Sequence, residues 1–113
     1  MSPQVAEQIS NRENEVFVSA ISLWEIALKH SIGKLELNFS PEDIPKYCEQ
    51  MCFYLIPLTP LDAMGFLRLP PKKDHKDPFD RMLIYQCITG NYTLVSRDDK
   101  MKFYVNDGLE YIW

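Results

Sequence analysis

The sequence predicts an α/β fold with a mostly parallel sheet flanked by helices. Short runs rich in β-branched and aromatic residues occur at 15–20, 52–59 and 92–96. Between them lie segments whose apolar residues recur at helical spacing. Parallel strands need crossover connections, and this alternation provides them. The 113 residues are 46% hydrophobic and 25% charged, which suits one compact domain over 1–113 with a real core.

The elements follow in order. Residues 3–10 form a helix with Val5, Ala6 and Ile9 on one face, and EVFVSA (15–20) is a buried strand. In SLWEIALKH (22–30), Ser22 and Glu25 have the spacing of a capping box, and Gly33 stands where a left-handed cap would fall. Ser40-Pro41-Glu42-Asp43 opens a helix to about Met51. CFYLIPLT (52–59) is a strand. Thr59-Pro60-Leu61-Asp62 starts a short helix that ends before Pro70. Asp77-Pro78 opens a helix closed by Gly90, YTLVS (92–96) is a strand, and LEYIW at the end is another.

Composition excludes some classes. No apolar run approaches a bilayer-spanning length, and the first residues have neither a basic start nor an apolar core of a secretion signal. Cys48, Cys52 and Cys87 match no common zinc spacing and read as reduced thiols of a cytoplasmic protein. The net charge of −4 argues against general nucleic-acid binding by bulk charge. Its distribution is more informative. Lys72, Lys73, His75, Lys76 and Arg81 surround the aspartates of DHKDPFDRML (74–83), and Arg97 adjoins Asp98 and Asp99. Crowded carboxylates repel unless something positive sits among them.

In open α/β sheets, ligands bind beyond the carboxyl ends of the strands. A parallel sheet puts Glu25 and Asp98 at one such edge, and Asp80 joins them only if its helix begins on that side. Separate acids at loop–helix junctions can cage Mg²⁺ or Mn²⁺. Each acid also has a local use: Glu25 in a capping box, Asp77 as an N-cap before Pro78, Asp80 near a helix dipole, Asp98 in a turn. His75 reads as a solvated loop residue. Trp24 and Phe79 could stack on bases, but their helical positions favour core packing.

Taken in order, EVFVSAISLWEIALKHSIGKLEL, YLIPLTPLDAMGFLRLPP, HKDPFDRMLIYQC, LVSRDDK and the terminal YIW resemble the VapC-type toxins of the PIN-domain ribonuclease family, from about residue 3 to the end. The resemblance implies a PIN-like three-layer fold and a Mg²⁺- or Mn²⁺-dependent endoribonuclease. It implies Glu25, Asp80 and Asp98 as catalytic metal ligands, with Asp77 and Ser96 beside them. Lys73, Lys76, Arg81 and Arg97 would then contact RNA phosphates. It also implies an RNA substrate, a cognate antitoxin protein and a homo-oligomer; the lack of a long apolar run adds the expectation of no membrane partner. Members of the family begin with a strand ending in an aspartate, and Met1 falls where their next helix starts. The expectation is therefore a domain incomplete at its N-terminus and impaired in cleavage. A second reading, from another class, is an inactive remnant that binds an antitoxin or another chain. A third is a small α/β ligand-binding domain whose acids are only caps.

Overall fold

The computed structural model describes residues 2–113. Helix α1 (Pro3–Ser10) starts where Ser2 accepts a hydrogen bond from the Val5 amide. Strand β1 (Phe17–Ser19) runs directly into helix α2 (Ala20–Ser31). The N-cap of α2 is Ser19, whose Oγ accepts from the Ile21 amide at 3.1 Å. The predicted capping box of Ser22 and Glu25 is therefore not used, because the helix begins three residues earlier. A 3₁₀ turn, Pro41–Asp43, leads into helix α3 (Ile44–Gln50), followed by strand β2 (Tyr54–Ile56).

Helix α4 (Pro60–Gly65) opens on a capping box of Thr59 and Asp62. Helix α5 (Pro78–Gly90) opens on the Asp77 cap, with Pro78 in its first turn. Gly90 is its last residue, and Asn91, at φ 57°, makes the left-handed turn that ends it. Strand β3 (Thr93–Val95), a 3₁₀ segment (Asp99–Asp107) and strand β4 (Glu110–Ile112) complete the chain.

Strands are shorter than the sequence predicts, and they do not form one sheet. Among the described residues, β1 pairs with β2 and β3 pairs with β4, both in parallel, as two separate two-stranded sheets. Between β1 and β3 lies a cleft of about 760 Å³ lined by both strands. The halves are tied together by side chains. Buried Gln86 of α5 accepts from Ser19 Oγ at 2.6 Å and donates to the Pro57 carbonyl and Asp62 Oδ2. At the other end of the strands, the Phe17 ring stacks on Tyr54 and also meets Tyr92, with centroids 4.9 Å apart in the second pair.

The core lies on one side of this divide. Leu69, Ile84, Cys87, Leu94, Met101, Tyr104 and Leu109 form a contiguous buried cluster around α5, β3 and the 3₁₀ segment. Burial raises the Cys87 thiol to a pKa of about 11, so it packs as a small hydrophobe and is a poor nucleophile. The cysteines are free, with Cys48 and Cys87 buried and Cys52 exposed. Among the described residues, no helix is long and apolar enough to cross a membrane.

Candidate metal centre

Asp80 is the meeting point of the acidic residues. It sits in the first turn of α5 because Asp77 caps that helix, with Asp77 Oδ1 accepting from the Asp80 amide at 3.1 Å. Two groups of potential ligand atoms share it: Glu25 with Asp77 and Asp80, and His75 with Asp80 and Asp98. Within each group, the ligand atoms lie within 4.8 Å of one another. Glu25, Asp80 and Asp98 thus converge through Asp80 rather than as one tight triad. Helix α5 therefore begins on the side of the sheets where Glu25 and Asp98 lie.

Each carboxylate is held by a local device. Asp98 caps the 3₁₀ segment through the Lys100 amide, and its own N–H donates to Ser96 Oγ at 3.1 Å. Ser96 therefore shapes the turn that aims Asp98. Glu25 Oε2 pairs with Lys29 Nζ at 2.9 Å, one helical turn on. The hydrogen bond and charge of Glu25 raise the Lys29 pKa, with smaller contributions from Asp77 and Asp80. Lys29, which the sequence reading passed over, is the cation nearest this acidic group. Its signal was the i, i+4 spacing to Glu25.

His75 is the larger surprise. It is only 3% exposed, not a solvated loop residue. A tight turn in which the His75 amide donates to the Lys72 carbonyl directs it inward. One ring nitrogen lies 2.7 Å from the Tyr104 hydroxyl and the other 3.1 Å from Asp80 Oδ2. Arg81 Nη1 donates to that same hydroxyl. The assignment that satisfies every group has Arg81 donating to Tyr104, Tyr104 donating to His75 Nδ1, and Nε2–H donating to Asp80. This chain orients the Asp80 carboxylate from behind.

Arg81 corrects another expectation. It is 4% exposed, and its guanidinium donates to the Leu69 and Pro70 carbonyls as well as to Tyr104. Those bonds hold it in the interior, so it is not a phosphate contact. Lys73, Lys76 and Arg97 are exposed. Trp24 also departs from the core-packing expectation: it is 52% exposed and meets Phe79 edge-on at 4.9 Å.

The electrostatics of the cluster favour a cation among the carboxylates. Burial raises the Asp80 pKa, and the charges of Asp77 and Glu25 raise it further, while the His75 hydrogen bond opposes them. A divalent cation would reverse that penalty. The available donors are mainly carboxylate oxygens, which suit hard ions such as Mg²⁺ and Mn²⁺.

A family model described as the PIN domain matches residues 2–107. The chain belongs to the PIN domain family. Neither the curated proteins nor the solved structures yielded a match. PIN domains are a family of nucleases, typically metal-dependent, that act on nucleic acids. The parallel strands flanked by helices are consistent with the PIN fold.

Proposed function

We propose that this PIN domain is a VapC-type endoribonuclease dependent on Mg²⁺ or Mn²⁺, with Glu25, Asp80 and Asp98 as the ligands of the ion. The observation that carries this reading is the sharing of Asp80 between two clusters, Glu25 with Asp77 and Asp80, and His75 with Asp80 and Asp98, whose ligand atoms lie within 4.8 Å of one another in each. A capping role alone makes no demand that acids from three separate elements converge. When bound, such an ion polarises a phosphoryl oxygen and lowers the pKa of a coordinated water.

The chain's own residues do the rest. His75 holds the Asp80 carboxylate in one orientation, and Asp77 positions the first turn of α5. Ser96 fixes the turn carrying Asp98. Exposed Lys73, Lys76 and Arg97 supply positive charge for RNA phosphates. The half-exposed Trp24, beside Glu25 in sequence, offers a face for an unpaired base. A cognate antitoxin is the protein partner of this reading.

The test is Mn²⁺ titration followed by electron paramagnetic resonance, alongside cleavage of single-stranded RNA. Asp80→Asn should weaken Mn²⁺ binding by at least about tenfold, as loss of a group that holds a metal does. Cleavage should require the ion and disappear in Asp98→Asn. Unchanged Mn²⁺ affinity in Asp80→Asn, or cleavage that persists in EDTA, would overturn the assignment.

A further inference from the structure

The hydrogen-bond chain behind Asp80 also decides which atoms a cation can meet there. A ring nitrogen of His75 lies within 4.8 Å of carboxylate oxygens of both Asp80 and Asp98. Nε2 is the nitrogen that faces Asp80. By distance alone, His75 stands where a ligand would. A cation needs the nitrogen's lone pair, however, and a nitrogen that carries a proton has none to give. The place of one proton therefore settles whether His75 can ligate.

Buried neighbours fix that place. The Arg81 guanidinium donates and never accepts. It is tied to the Leu69 and Pro70 carbonyls, so it cannot turn away from Tyr104. Its Nη1 donates to the Tyr104 hydroxyl at 3.2 Å. Tyr104 is fully buried, and among the described residues its hydroxyl has one further partner, His75 Nδ1 at 2.7 Å. With a proton on Nδ1, the hydroxyl would face two donors and its own proton would be stranded in the interior. A buried donor without a partner is costly. Tyr104 therefore donates, Nδ1 accepts, and the ring's proton stays on Nε2, aimed at Asp80 Oδ2.

We propose that Tyr104 is a positioning residue that sets the metal preference of the site. By holding His75 with its proton on Nε2, it withholds the ring nitrogen and leaves a cation a set of carboxylate oxygens. Oxygen ligands suit Mg²⁺ and Mn²⁺, whereas an imidazole nitrogen among them suits Zn²⁺. The cause rests on the hydrogen bonds alone, and the consequence rests on the metal reading above.

The first test uses the metal-free parent chain and needs no variant. Nitrogen-15 chemical shifts of the His75 ring should place its proton on Nε2; a proton on Nδ1 would overturn the proposal. The second test uses Tyr104→Phe, which keeps the buried ring and removes the hydroxyl. Either placement of the proton then leaves Nδ1 unpartnered, so freeing the Nε2 lone pair no longer strands a donor. The ratio of Zn²⁺ to Mn²⁺ affinity, measured by competition with a chromophoric chelator, should rise at least about tenfold. Adding His75→Gln to Tyr104→Phe should remove that gain. A merely structural role of Tyr104 would weaken both ions together and leave the ratio unchanged, which would overturn the proposal, as would a gain that survives His75→Gln. A parent that binds no Mn²⁺, beside a variant that takes up Zn²⁺ through His75, would sink the Mg²⁺ or Mn²⁺ reading of the site and still support the role of Tyr104.

Discussion

The two sides of the cleft are built differently. Around α5, β3 and the 3₁₀ segment, seven apolar residues from Leu69 to Leu109 form one buried cluster. Around β1, β2, α2 and α3, Ile21 and Cys48 are the buried apolar residues, while Phe17, Trp24, Leu28, Tyr54 and Leu55 remain exposed. The acidic site draws on both sides. Asp77, Asp80, Asp98 and His75 come from segments at the packed side, and Glu25 comes from the other. Packing and hydrogen bonds are what hold a ligand set in place. Asp80 and Asp98 are therefore preset by their surroundings, whereas Glu25 is steered mainly by its exposed partner Lys29.

The largest effect should separate the sides directly. Ile84→Ala, at a fully buried position of the cluster, should cost about 2–5 kcal/mol in urea unfolding because it leaves a cavity. Leu55→Ala, at a position 47% exposed, should stay within about 0.5 kcal/mol. Equal losses would mean that the thin side is packed in solution, and the contrast would fail.

A smaller effect concerns the cap. Asp77→Ala should cost about 1 kcal/mol through loss of its bond to the Asp80 amide. Asp77→Asn retains a capping oxygen and should keep most of that stability. If Asp77→Asn nevertheless weakens Mn²⁺ binding as much as Asp80→Asn does, Asp77 is a ligand and not only a cap.

The smallest effect has the opposite sign. Asp80 has a raised pKa, so the folded chain holds its proton more tightly than the unfolded chain. Its contribution to stability is present below the ordinary carboxylate range and is lost as pH rises through the raised folded value. Without metal at pH 7, Asp80→Asn should therefore melt no lower than the parent, and slightly higher. Mn²⁺ should raise the melting temperature of the parent and not of the variant. Thermal melts in EDTA and in Mn²⁺ check both statements; a marked metal-free loss would show that the Asp80 charge is favourable in the fold.

Local chemistry was readable in the sequence. The starts of α4 and α5 follow from Thr59-Pro60-Leu61-Asp62 and Asp77-Pro78, since capping satisfies backbone amides within three residues of the cap. The alternation of strands and helices likewise indicated parallel pairing, and the acids at Glu25, Asp80 and Asp98 could be picked out by their places at element junctions. Even there, α2 chose Ser19 over Ser22, because Ser19 also gains a buried bond to Gln86, 67 positions away.

Tertiary structure decided the rest. His75 and Arg81 look like members of a solvated basic loop, yet both are buried on Tyr104, at 29 and 23 positions' remove. No local pattern announces a hydroxyl that will stand between them. That the interruption of the sheet falls between β1 and β3 is likewise decided by packing, because strand propensity concerns a segment's own residues and not which neighbour its edge will meet. By itself the sequence determined where α4 and α5 begin and which acids stand at element junctions, through groups a few residues apart. Which charges are buried, which carboxylates meet at Asp80 and which strand edges stay unpaired depend on contacts between distant segments, and those arise only when the chain packs.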